Sequence, residues 1–292
     1  MSMTSRMAEG IRNRVGGRGE GRGGATLAIT VARKEQLSPT MVRVVFTGDD
    51  LADFTMNEFS DAYVKLIYPR PGVSYPEPLD MKVIRASLPQ EDWPQNRTYT
   101  VRRWDDQARE LTVDFVVHGD EGLAGPWARD AQPGDQIWLA GPGGGYRPDP
   151  AADWHLLAGD ESALPAIAAA LEVMPEDAVG QVFVEIHDPA SELKLTAPAG
   201  VTVTWLLDTA ETPGTALVEA VTALTFPEGR VYAFVHGEAA AVRDLRRLLK
   251  RERGVKQSDL SISGYWRQGA NDEEWRAVKR DWNQKIEESE GS

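Results

Sequence analysis

Arg97-Thr98-Tyr99-Thr100-Val101-Arg102 is the stretch on which the reading of the chain turns. Its side chains alternate in type, a Pro-rich segment ending at Asn96 precedes it, and an apolar run from Leu111 to Val117 follows, so a β-strand is expected. On that strand Arg97, Tyr99 and Val101 project to one face while Thr98, Thr100 and Arg102 project to the other. A guanidinium that can grip a phosphate through two donors, an aromatic ring two residues on and a hydroxyl beside it suit a ligand with both a diphosphate and a flat ring system.

Around this strand lie others of the same short, turn-bounded kind: Thr26–Arg33, Met41–Thr47, Ala62–Tyr68, Leu111–Val117 and Gln136–Ala140. With Arg97–Trp104 they make six, and a closed antiparallel barrel is the economical architecture. The long Pro-rich interruption at Pro69–Asn96, with a helical turn expected near Met81–Ala86, leads straight into Arg97 and is positioned to wall a ligand site. Gly125-Pro126 reads as the start of a short helix, Pro being favoured in a first turn. The Gly141–Tyr146 glycine loop lacks the Gly-Lys-Ser/Thr ending of a phosphate loop and reads as the exit from the barrel.

From Asp153 onward the rhythm changes to strand and helix in alternation, the mark of a parallel sheet covered by helices. Strands are expected at His155–Ala158, Gln181–His187, Val201–Leu206, Arg230–Val235 and Leu260–Ser263, with helices at Ala163–Met174, from Thr215 to about Leu224, and at Ala239–Arg251. Ligands of such sheets bind beyond the carboxyl ends of the strands, which singles out Gly159-Asp160-Glu161-Ser162-Ala163-Leu164-Pro165, although no G-x-G-x-x-G is present. A final acidic helix, about Asp272 to Glu288, carries Trp275 and Trp282 seven residues apart on one face, which should dock it on the body of the protein.

Composition narrows the chemistry. The 292 residues carry 32 basic and 45 acidic side chains, a net charge of −13, which argues against nucleic-acid binding. There is no cysteine, so disulfides, thiolate nucleophiles, iron–sulfur ligation and cysteine zinc sites are excluded. His118, His155, His187 and His236 are scattered, and no metal site is expected. The five arginines and many glycines of residues 1–24 read as a disordered tail. No apolar run reaches the length of a membrane-spanning helix and the N-terminus lacks a secretory signal, so a cytoplasmic location without membrane insertion is expected; a monomer is also expected.

Taken in order, Arg97–Arg102, His118-Gly119 to Trp127-Ala128, Pro133-Gly134-Asp135, Gly141-Pro142-Gly143-Gly144, Leu156–Ile167 and Gly264-Tyr265-Trp266-Arg267 resemble the siderophore-interacting protein family. Arg97-Thr98-Tyr99-Thr100 also resembles the Arg-x-Tyr-Thr/Ser signature by which ferredoxin-reductase-like flavoproteins bind FAD. The resemblance runs from about Thr26 to Trp282; Ser162 stands where Thr is common, and the hydroxyl is kept. It implies a two-domain α+β chain: a six-stranded antiparallel FAD-binding β-barrel over 25–148, an α/β parallel-sheet NAD(P)H-binding-like domain over 149–264, and a C-terminal helical extension over 265–292.

The same resemblance implies a ferric-siderophore reductase that releases iron as Fe(II), with FAD as cofactor and NAD(P)H or reduced ferredoxin as donor. Arg97 and Tyr99 would hold the diphosphate and the flavin ring with Thr98, Thr100, Val101 and Arg102 around them. His118, Gly125 and Trp127 would serve the diphosphate and adenine end. Asp160, Ser162 and Ala163 would close over the flavin from the second domain, with Tyr265 and Trp266 near its face. Such a flavin carries the difficult step, so neither nucleophile nor protein metal ligand is needed. An anionic ferric chelate approaching so acidic a protein needs a local basic patch, for which Lys65, Arg102 and Arg267 are the candidates. Two other readings stay open: a general flavin-dependent reductase with a non-siderophore acceptor, and a protein that binds a ferric siderophore without redox turnover. The basic helix of Arg243, Arg246, Arg247, Lys250 and Arg251 reads as a solvated face rather than a donor site.

Overall fold

The period-2 pattern of β2 (Met41–Thr47) sends Val42, Val44 and Phe46 into a common interior and leaves Arg43 outside. In the computed structural model, which describes residues 26–120 and 122–290, the same alternation recurs in β1 (Leu27–Ser38), β3 (Tyr63–Tyr68), β6 (Glu110–Val116) and β7 (Gln136–Gly143). The tail expected to be disordered, residues 1–24, lies outside the described residues. All pairings in this sheet are antiparallel. With β4 (Gln95–Thr100) and β5 (Arg103–Asp105) its order is β4-β3-β7-β1-β2-β6-β5, and Ile29, Leu66, Val113 and Phe115 fill the middle.

The expected strand Arg97–Trp104 is divided. Its first part, β4 (Gln95–Thr100), pairs with β3 and its second, β5 (Arg103–Asp105), pairs with β6. At the break the Val101 amide donates to Ala62 O at 2.7 Å and the Arg102 amide to Thr112 O at 2.9 Å. The chain thus changes neighbours between two residues, joining the two edges of the sheet, and six strands become seven segments. Closure requires such a switch, because a barrel has no free edge.

The Pro-rich interruption folds onto the outside of this sheet. Asp80 caps α1 (Met81–Ser87) by accepting from the Lys82 amide at 2.7 Å, and Ile67, Leu79 and Ile84 bury themselves with Tyr75, Trp93 and Trp138 in a small core. A short α2 (Ala124–Asp130) follows β6.

In the second domain β8 (Trp154–Asp160) is buried at every position, as a central parallel strand covered on both faces must be. With β9 (Val179–Ile186), β10 (Gly200–Leu207), β11 (Val231–Glu238) and β12 (Leu260–Trp266) it forms a wholly parallel sheet in the order β10-β9-β8-β11-β12. Leu157 and Phe234 face one way, toward α3 (Leu164–Val173). Leu156 and Val235 face the other, toward α4 (Thr215–Ala223) and α5 (Ala239–Arg247). The order reverses between β8 and β11, where a doubly wound sheet opens its ligand crevice.

Met41 and Tyr146, from the barrel side, are buried in the second domain's core, so the domains share apolar packing. The last helix, α6 (Asp272–Glu290), adds a further tie. As expected from the tryptophan spacing, Trp275 is buried at 1% exposure, with Trp282 edge-on at 5.2 Å. A side chain at Gly264 would press within 3.2 Å of the Trp275 ring. Among the described residues no helix is long and apolar enough to cross a membrane.

Candidate functional site

Arg97 sits where the barrel meets α6. Its Nη1 donates to Asn96 O at 2.9 Å and lies 2.8 Å from Glu273 Oε1 and 3.3 Å from Asp272 Oδ2; Nη2 donates to Glu273 Oε2 at 3.1 Å. Gln95 Nε2 supports the same carboxylate at 3.0 Å. Burial alone would raise the Glu273 pKa, but the hydrogen bond and charge of Arg97 hold it below the usual carboxylate range. Among the described residues Arg97 Nε makes no hydrogen bond, and 13% of the side chain is exposed. Arg276 stands alongside, donating to Asn96 O at 2.9 Å and Asn96 Oδ1 at 2.5 Å.

Two phenols share this end of the barrel. The Tyr99 ring packs 4.4 Å from Phe115, and burial pushes its pKa up while Arg97 pulls it down. Tyr68 has a buried hydroxyl with no hydrogen-bond partner among the described residues; burial raises its pKa well above the ordinary phenol value, again opposed by Arg97. Thr100 is buried and Thr98 exposed. A guanidinium Nε and a phenol without partners among the described residues, with a neighbouring ring, fit an anionic group joined to a flat ring, as FAD presents.

The other expected barrel residues lie on and beside β6 and α2. Trp127 packs 5.5 Å from Tyr68, 6.0 Å from Phe115 and 6.1 Å from Phe46. Gly125 lies against β6 so closely that a Cβ there would stand 3.0 Å from Val116 O. The His118 ring lies tilted against His187 of the second domain, with centroids 5.4 Å apart.

Across the interface Asp160, at the end of β8, is filled by four donors. Oδ1 accepts from the Ser162 amide at 2.9 Å and its hydroxyl at 2.5 Å, and Oδ2 accepts from the Glu238 amide at 2.8 Å and Trp266 Nε1 at 2.7 Å. A side chain at Gly237 would strike that carboxylate at 2.5 Å, and its φ of +144° also favours glycine. Ala163 is buried and donates its amide to Asp160 O at 3.0 Å. β12 runs through Tyr265 and Trp266, so both residues, placed by the sequence in the C-terminal extension, end a strand. The Tyr265 ring lies 4.8 Å from His236, and burial pushes its phenol up. His236, stacked 4.0 Å from Phe234, is pushed down to about 3 by burial and by the Lys279 charge.

The expected basic patch separates. Lys65 is half-buried on β3 in register with Thr98 and Ala140, and Arg267 is exposed just past β12. Arg102 instead turns to α3, where Glu172 grips it at 3.1 and 2.5 Å, with Asp114 at 3.9 Å.

Several contacts had no sequence signal. Asp272, Glu273 and Arg276 read only as the polar face of a helix, because their partners lie about 180 residues away in the chain. Glu161 is buried; the Thr40 hydroxyl of the barrel donates to its Oε1, its Oε2 lacks a hydrogen-bond partner among the described residues, and His187 Nδ1 is 3.8 Å away. Among the described residues no acidic or histidine cluster is arranged to hold a metal ion.

The sequence model of the siderophore-interacting FAD-binding domain matches residues 30–146, and that of the siderophore-interacting protein matches residues 152–269. The chain belongs to the siderophore-interacting protein family. It is 36% identical over 253 residues to the ferric vibriobactin reductase ViuB of Vibrio cholerae, covering 82% of this chain and 89% of that one. It is 30% identical over 243 residues to an NADPH-dependent ferric-chelate reductase of Escherichia coli, covering 82% and 91%. The crystal structure of the siderophore-interacting protein SipS from Aeromonas hydrophila superposes with a TM-score of 0.76 at 32% identity, covering 89% of this chain and 98% of that one. The two-domain fold is the ferredoxin-reductase-like one.

Proposed function

We propose that the chain is an FAD-dependent reductase that converts the Fe(III) of an imported siderophore to Fe(II) and so releases iron in the cytoplasm. The observation that supports this reading is the Arg97 guanidinium, held by Glu273 through Nη1 and Nη2 while its Nε has no hydrogen-bond partner among the described residues, on the strand whose sequence resembles the FAD signature. When bound, FAD would take electrons from a donor and pass them singly to ferric iron. Arg97 would hold its diphosphate through Nε and Nη2, with Tyr99 and Thr100 beside the ring and His118, Gly125 and Trp127 toward the adenine end. Asp160 would act through Trp266, fixing the indole against the second sheet, and Ser162 and Ala163 would form the turn that closes over the flavin.

Lys65 and Arg267 form no ion pair among the described residues, so they offer uncompensated charge to an anionic ferric chelate in a chain of net charge −13. Arg102, already neutralised by Glu172, contributes less. The donor is a nicotinamide dinucleotide or reduced ferredoxin; the name of the E. coli relative supports NADPH. The test is ferrous-iron capture with purified protein, NADPH, NADH or reduced ferredoxin, and a ferric siderophore. Ferrous complex appearing only with protein and donor supports the reading. Turnover confined to quinones or free flavins points to a general flavin reductase and overturns it.

A further inference from the structure

We infer that Glu273 is a positioning residue for the cofactor diphosphate: by gripping one edge of the Arg97 fork from helix α6, it holds the other edge toward the flavin and couples cofactor binding to docking of that helix. The inference rests on the flavin reading above.

An arginine carries five N–H donors in a fixed plane. In Arg97 the Nη1–Nη2 edge is spent on Glu273 at 2.8 and 3.1 Å, and a further Nη1 bond reaches Asn96 O at 2.9 Å. What remains is the Nε–Nη2 edge, a second bidentate face suited to two oxygens of a phosphate. A free arginine side chain would lose rotamer freedom on binding, and a partner that fixes it beforehand lowers that cost. Glu273 is itself fixed, by Gln95 Nε2 at 3.0 Å.

Charge does not oppose the arrangement. Asp272 and Glu273 bring two negative charges, and Arg97 and Arg276 bring two positive ones, Arg276 lying 3.4 Å from Asp272. A diphosphate would therefore approach a neutral group of four in which the Nε–Nη2 edge has donors still unpaired among the described residues. The helix that carries Glu273 is anchored in the other domain by Trp275, against Gly264 of β12. Through Glu273 the cofactor strand of the barrel is thus linked to the second domain, and linkage requires the effect to be reciprocal: whatever docked α6 adds to FAD affinity, FAD adds to docking of α6.

The test is a double-mutant cycle on the full chain stripped of flavin, titrated with FAD by flavin fluorescence, using wild type, Glu273→Gln, Arg97→Lys and the double variant. Glu273→Gln should raise the Kd for FAD about tenfold, the scale of one charge-assisted hydrogen bond. In the Arg97→Lys background, where no second edge exists to orient, the same change should shift the Kd by less than about twofold. Amide exchange across residues 275–280 should slow when FAD binds wild type and respond little in Glu273→Gln, a readout that holds even if a variant is less stable. FAD binding as tight or tighter in Glu273→Gln, as direct competition between the carboxylate and the diphosphate would give, overturns the inference, as does an equal loss in both backgrounds. Wild type that takes up no FAD would instead sink the flavin reading itself.

Discussion

Trp266 Nε1 donates to Asp160 Oδ2 at 2.7 Å, joining the end of β12 to the end of β8 across 106 residues of chain. The same carboxylate receives the Glu238 amide from β11 and both donors of Ser162. One buried side chain therefore ties three strand ends together at the point where the sheet order reverses. Asp160→Asn turns one acceptor oxygen into a donor facing donors. It should cost about 2–3 kcal/mol, the scale of an unsatisfied buried polar pair. A denaturant midpoint equal to wild type would show that the ties are dispensable.

Arg97→Lys should weaken FAD binding by at least about tenfold while leaving the fold intact, because an ammonium is a point charge and cannot hold two phosphate oxygens and Glu273 together. The check is the ratio of flavin to protein absorbance after purification, beside a circular dichroism spectrum. Stoichiometric flavin in this variant would remove Arg97 from the diphosphate site.

The three candidate basic residues should part company. Lys65→Ala and Arg267→Ala should raise KM for a ferric siderophore several-fold with kcat nearly unchanged, since they would act in capture of an anionic substrate. Arg102→Ala should leave KM nearly unchanged and lower stability, because it strips Glu172 and the buried Asp114 of a partner. Steady-state kinetics and thermal unfolding of the three variants decide this. A KM effect for Arg102 equal to that of Lys65 would contradict the separation seen in the structure.

His236 gives the protein an acid-sensitive element. Its folded pKa of about 3 lies below the reference value of 6.5, so between these values the unfolded chain binds a proton that the folded chain does not. Stability must then fall as pH drops through that window, by up to about 1.4 kcal/mol per pH unit. His155, also lowered by burial, acts in the same direction. His236→Gln should flatten the loss between pH 6 and 4, roughly the middle of that window, when unfolding midpoints are compared with wild type. An unchanged slope would mean that the ring titrates normally.

Most of the architecture was legible because it is written in local periodicity. Alternation marked the barrel strands, and strand–helix succession marked the parallel sheet. The expected strand Arg97–Trp104 proved to be two segments because barrel closure is a non-local demand that no local pattern encodes. The strand proposed to hold the cofactor stood out for a different reason: Arg97, Tyr99 and Thr100 fall within four residues of one extended segment. Glu273 was not, since it is an ordinary surface-type residue until the fold sets it beside Arg97, and Glu161, although in the loop the sequence singles out, gave no sign of its bond to Thr40. Arg102 shows the reverse case, a plausible anion ligand whose charge the fold gives to Glu172.

The most direct test is an absorbance spectrum of the purified protein, followed anaerobically by NADH, NADPH or reduced ferredoxin and then by a ferric siderophore with a ferrous-iron trap. Oxidised-flavin bands that bleach with a donor and return as the trapped ferrous complex appears are the predicted result. A colourless protein that also refuses added FAD would contradict the account from Arg97 onward.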